Sequence, residues 1–175
     1  MIGILIVSHG AFGEALIHCA SHVLSKRPPL VRQLGVTVHD DPEAILPQAQ
    51  ELVNQLDVGQ GVLVFTDILG ATPSNIATRL LVPGKVEGIS GVNLPMLIRA
   101  LTYREEPLAE VAAKAISGGQ AGVVHMNTDA CNAASASLPS VSTPIMLPLP
   151  AASIITPMML LALTRRPLRV SQIWL

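Results

Sequence analysis

The stretch Gly3–Leu16, GILIVSHGAFGEAL, decides how the chain is read. Ile2–Val7 is a continuous apolar run rich in β-branched residues, the pattern of a strand buried on both faces. It stops at Ser8, His9 and Gly10. From Ala11 to Leu24 the apolar residues Phe12, Ala15, Leu16, Cys19, Ala20 and Val23 then recur at helical spacing, and Pro28 and Pro29 close that helix. A histidine therefore stands between the end of a buried strand and the start of a helix, where α/β proteins keep their chemistry.

The same alternation continues. Val31–Val38 reads as a second strand, and Asp41-Pro42-Glu43 opens a helix to Leu56 with a capping side chain, a first-turn proline and an early acid; Pro47 sits awkwardly inside it. Gly61–Thr66 is the third strand and ends at Asp67. After the loop DILGATPSN, Thr72 and Pro73 are read as cap and first residue of a helix reaching Leu81. Val86–Ile89 is a short fourth strand, and Asn93 and Pro95 announce another helix. Pro107–Ile116 reads as a final helix ended by Gly118 and Gly119, with Ala121–Met126 as a last apolar strand. Strands alternating with helices imply a doubly wound α/β domain over residues 1–127, with a mainly parallel sheet and helices on both faces.

The bulk properties agree with one well-cored domain. The 175 residues are 50% hydrophobic and only 2% aromatic, and the formal net charge of −1 suggests no nucleic-acid partner. Cys19 and Cys131 have no disulfide or metal-clip spacing, as expected of a reducing, cytoplasmic setting, and the N-terminus lacks the features of a signal peptide. Beyond Asp129, the last acidic residue, the chain turns Pro/Ser/Ala-rich without a clear period. Thr143–Leu163 is uncharged, but Pro144, Pro148, Pro150 and Pro157 argue against a membrane span. Residues 128–175 read as a disordered tail or a non-native extension, with no function assigned.

In a parallel sheet all strand ends of one kind share a rim. His9, Asp67 and the Ser90-Gly91-Val92-Asn93 turn therefore converge through topology alone. A carboxylate accepting a bond from one ring nitrogen fixes the imidazole tautomer and frees the other nitrogen as nucleophile or base. Helix starts after Gly10, Thr72 and Asn93 offer amides to an anion. The plainer alternative is a polar loop histidine and a capping aspartate. Gly10, Gly70 and Gly91 match no phosphate-loop fingerprint. Two other groups are weaker. His18, Cys19 and His22 have a helical metal-ligand spacing, but Cys19 falls in the apolar stripe and is read as core, so no metal is assigned. His39 with Asp40 and Asp41 is read as loop and cap, and His125 as structural.

Three segments, GILIVSHGAFGEAL, VLVFTDILGATPSNIA and GISGVNLPMLIRAL, resemble in order and spacing the signatures of the mannose-type enzyme IIA domain of the bacterial phosphoenolpyruvate-dependent sugar phosphotransferase system. The resemblance covers residues 1–127. It implies a cytoplasmic phosphocarrier that accepts a phosphoryl group on His9 from the histidine phosphocarrier protein and passes it to an enzyme IIB domain. Membrane contact would be indirect, through the permease, and no cofactor is implied. Asp67 would orient His9; Gly10, Gly70, Thr72, Ser90 and Asn93 would hold the phosphoryl group; and Phe12, Ile68 and Leu69 would dock partners. Ala71 and Thr72 replace a glycine and a serine common in the family, and Ser74 stands where an aromatic is common. The resemblance also implies a homodimer in which Ala121–Met126 joins the partner's sheet. Alternative readings are a regulatory module that senses phosphorylation, the phosphotransfer subunit serving dihydroxyacetone kinase, and a small hydrolase; the last would need a nucleophile or metal beyond His9 and Asp67.

Overall fold

A computed structural model describes residues 1–126; the Pro/Ser/Ala-rich segment, Thr143–Leu163 included, lies outside the described residues. The order is β1 (Gly3–His9), α1 (Phe12–Val23), β2 (Val31–Val36), α2 (Pro42–Leu56), β3 (Val62–Thr66), α3 (Thr72–Thr78), β4 (Val86–Ser90), α4 (Leu94–Tyr103) and α5 (Leu108–Ala121). The four strands form one parallel sheet in the order β2-β1-β3-β4. The α/β reading of the sequence holds.

Strand β1 shows why the sheet is covered twice. Ile4 and Ile6 point into one apolar cluster with Ile17, Phe65, Leu97 and Val111. Leu5 and Val7 point into the other with Val53, Val64, Ile76 and Leu80. Alternate residues of a strand face opposite sides, so an unbroken apolar run demands helices on both. Each large side chain buried in this way contributes roughly 1.5–3 kcal/mol relative to exposure. Helix α2 begins as its sequence announces: Asp41 Oδ1 accepts the Glu43 amide at 3.1 Å. It also runs through Pro47 unbroken.

The C-terminal end of the described chain corrects the sequence reading. Helix α5 does not stop at Gly118 and Gly119; it continues to Ala121. Those glycines permit close approach to α4. A Cβ on Gly118 would lie 2.7 Å from Arg99 Cβ, and one on Gly122 would lie 2.4 Å from Pro95 Cγ. Helix-interior glycine costs about 1 kcal/mol against alanine, and the tight α4–α5 seam offsets it. Ala121–Met126 is consequently not a strand of this chain's sheet: Ala121 completes α5, and Gly122–Met126 pairs with no described strand. A strand exists only when its amides meet another edge, and this segment lies outside the four-stranded ladder with Val123 and Met126 exposed. His125 is exposed there rather than held in a strand. No helix among the described residues is long and apolar enough to cross a membrane.

The seam is directly testable. Gly118→Val should lower the unfolding free energy by about 1–3 kcal/mol through overpacking, read as a lower urea midpoint at unchanged slope. An unchanged midpoint would remove the close-approach explanation.

Candidate functional site

Strand order places the site. From β1 the sheet extends to β2 on one side, and from β3 to β4 on the other, so a crevice opens between β1 and β3 at their C-terminal ends. His9 is the last residue of β1, and Asp67 directly follows β3; Val7 is paired with Thr66 one step below. The two residues, 58 positions apart, therefore meet. His9 Nδ1 lies 2.7 Å from Asp67 Oδ2. The His9 backbone amide donates to the same oxygen at 2.8 Å, and the Ile68 amide donates to Oδ1 at 2.8 Å.

These bonds set the charge of the pair. Burial works to raise the Asp67 carboxyl, but the His9 amide, the His9 ring and the Ile68 amide outweigh it and hold the group below the ordinary 3.8. An ionised carboxylate can only accept, so Nδ1 is the donor and carries the proton. Nε2 is then the ring nitrogen that the carboxylate leaves free. The imidazole side chain is half exposed at 51%, against 15% for Asp67. A sequestered anion thus orients an accessible nucleophile, an arrangement suited to accepting and releasing an electrophilic group.

The neighbouring backbone is shaped around this pair. Gly10 adopts φ 51°, and its amide donates to Val36 O at 3.0 Å. A Cβ on Gly35 of β2 would lie only 2.2 Å from Gly10 O. Gly35 therefore lets the His9–Gly10 turn settle against β2. Ser8 is fully buried, and its Oγ accepts the Gly13 amide at 3.0 Å, fastening the start of α1 to the end of β1. Ser74, also buried, accepts the Gly70 amide at 2.9 Å and donates to Ala71 O at 3.2 Å. It braces the Asp67–Thr72 loop from beneath. None of these three was singled out by the sequence as a site residue. Their small size beside a strand end was the available signal.

The other expected residues divide. Gly70 (φ 85°) and Thr72 stand at the loop and first turn of α3. Thr72 is the first helical residue and not the cap, which is Ala71, and no side-chain cap bond is made. Its hydroxyl is thus not used to start the helix. Ser90 ends β4, with its Oγ buried and without a hydrogen-bond partner among the described residues. Asn93 is committed within the fold: Oδ1 accepts the Met96 amide at 2.9 Å and Nδ2 donates to Gly119 O at 3.0 Å. It caps α4 and ties it to α5. Phe12, Ile68 and Leu69 are exposed at 42%, 58% and 79%, apolar groups unusually open to water beside His9. Around His39, Asp40 accepts the Thr37 amide at 2.6 Å and Asp41 caps α2, as loop and cap. Cys19 departs from its reading as core: it is exposed.

Two outcomes test this geometry. The lowered Asp67 carboxyl contributes stability that is present above its unfolded-state value and is lost as pH falls through the folded-state value below 3.8. Unfolding free energy should therefore fall more steeply below about pH 4 in the wild type than in Asp67→Asn; parallel acid limbs would contradict the assignment. Gly35→Ala should shift the amide resonances of His9 and Gly10 while the core signals stay in place. Unmoved His9 and Gly10 signals would dismiss the close-approach role.

Comparison with known proteins gives a consistent picture. The family model EIIA-man, described as the PTS system fructose IIA component, matches residues 3–117. The PTS system mannose-specific EIIAB component of Escherichia coli (strain K12) is 30% identical over 153 residues, which is 86% of this chain and 47% of that protein. The chain thus spans about half the length of the curated relatives it matches. Among solved structures, the phosphotransferase system component EIIA from Streptococcus agalactiae has TM-score 0.65 at 27% identity, covering 73% of this chain and 99% of that one. The PTS IIA protein associated with the fucose utilization operon from Streptococcus pneumoniae has TM-score 0.62 at 26% identity, with coverage of 71% and 93%.

Proposed function

The chain belongs to the EIIA-man family of PTS IIA components, a family of phosphotransferase components acting in sugar phosphotransfer, and on that premise we propose that it is a cytoplasmic phosphocarrier whose phosphorylated residue is His9. The observation that carries the reading is the 2.7 Å contact between His9 Nδ1 and a partly buried, ionised Asp67, with the rest of the imidazole open to solvent. The Nε2 lone pair attacks the phosphorus of the donor's phosphohistidine, the donor P–N bond breaks, and a new P–N bond forms on His9. Asp67 keeps the Nδ1 proton in place and balances the positive charge that builds on the ring.

Phosphoryl transfer asks mainly for alignment and charge stabilisation. The Thr72 hydroxyl, not used to start α3, would donate to an equatorial oxygen, and Ser90 lies on the same rim. Gly10 and Gly70, whose amides are bonded to Val36 O and Ser74 Oγ, shape the turns beside His9, and Asn93 supports the rim by capping α4. The donor is the histidine phosphocarrier protein and the acceptor an enzyme IIB domain, both reaching His9 across the exposed Phe12, Ile68 and Leu69. A shallow site serves a relay, because two protein partners must approach the same nitrogen in turn. We also propose that a second copy of the chain completes the assembly, taking up the exposed segment ending at Met126 along the open edge of β4.

Incubation with phosphoenolpyruvate, enzyme I and the histidine phosphocarrier protein should add a single acid-labile phosphoryl group, read by intact mass spectrometry. His9→Ala should gain none. Thr72→Ala should be phosphorylated more slowly, by about tenfold or more. A folded wild-type sample that gains no phosphoryl group would overturn the carrier reading.

A further inference from the structure

Helix α1 carries a second histidine-bearing surface, away from the His9–Asp67 pair. His18 and His22 lie one turn apart on its exposed face, and their ring centroids are 5.3 Å apart with an interplanar angle of 77°. Cys19, next to His18 in sequence, is also exposed rather than packed in the core. The nearest carboxylate on this face, Glu14, is held by both guanidinium nitrogens of Arg27 at 2.6 and 3.1 Å. Beyond that ion pair, Glu14 acts on this face through a through-space attraction to His18.

We propose that His18 and His22 form a binding site for a borderline divalent transition-metal ion such as Zn²⁺. With a metal–nitrogen distance of about 2.0–2.1 Å, an imidazole centroid sits about 3.2 Å from the ion, so two ligands at a tetrahedral angle have centroids about 5.2 Å apart. The observed 5.3 Å meets that spacing without backbone movement. Both side chains are solvent-facing and turn freely about their own bonds to aim a lone pair inward. His22 lies in the last turn of α1, where the helix dipole favours a cation.

No group of three such donors is assembled among the described residues, so water completes the coordination sphere. Imidazole donors select zinc, nickel or copper over magnesium and calcium, which require oxygen ligands. This site is independent of the phosphocarrier reading, since His9 takes no part in it.

Isothermal titration of the full chain with ZnCl₂, NiCl₂ and MgCl₂ tests it. One equivalent of Zn²⁺ or Ni²⁺ should bind and Mg²⁺ should not. His18→Ala and His22→Ala should each weaken Zn²⁺ binding by about tenfold or more, while His9→Ala and His39→Ala should bind as the wild type does. Both α1 residues are exposed, so circular dichroism should show the variants folded. Failure of the wild type to bind, or wild-type affinity in either α1 variant, would overturn the proposal. So would loss of binding in His9→Ala or His39→Ala.

Discussion

One carboxylate oxygen, Asp67 Oδ2, accepts from both the backbone and the ring of His9. Much else in the site follows from that double bond. The backbone contact fixes where β1 ends relative to β3, and the ring contact fixes how the imidazole stands on that end. Parallel pairing of β1 with β3 brings two residues 58 positions apart into reach. Neither β2 nor β4 could do so, since they lie on opposite sides of this central pair. The two-faced core of the central strands makes the pairing rigid, because an error of one register step would turn every buried side chain to the wrong layer.

Rigidity below and openness above are complementary. The strand ends are held by groups that face inward: Ser8 under α1, Ser74 under the loop after Asp67, and Gly35 against the Gly10 turn. The imidazole and the apolar residues Phe12, Ile68 and Leu69 face out. A diffusible substrate would favour a deep pocket that excludes water. A nitrogen that must meet the surfaces of other proteins needs an exposed position with its orientation already fixed.

How much of this was legible follows from the range of the forces involved. The apolar run before His9 and the cap signals at Asp41 and Asn93 are local, and the elements they announce are present. The meeting of His9 with Asp67 is non-local, yet parallel topology places all strand ends on one rim, so it too could be anticipated. Three readings failed where a residue's reason lies in another element. Gly118 and Gly119 look like a helix stop because the helix they press against is not visible in their own neighbourhood. Ala121–Met126 has strand composition, but its extended pairing depends on an edge its own sequence does not specify. Cys19 sits at a helical spacing shared with buried residues, yet the face it occupies is left uncovered. Gly35 and Ser8 were missed for the same reason, as their roles lie in contacts with Gly10 and Gly13.

The central claim is that Asp67 holds His9 with its proton on Nδ1 and its reactive lone pair on Nε2. Long-range ¹H–¹⁵N correlation spectroscopy of the imidazole side chains, recorded at about pH 8 where a free imidazole is neutral, reads this tautomer directly. The account predicts the Nδ1-protonated pattern for His9 in the wild type and a loss of that preference in Asp67→Asn. A His9 ring protonated on Nε2, or a pattern indifferent to Asp67→Asn, would contradict it.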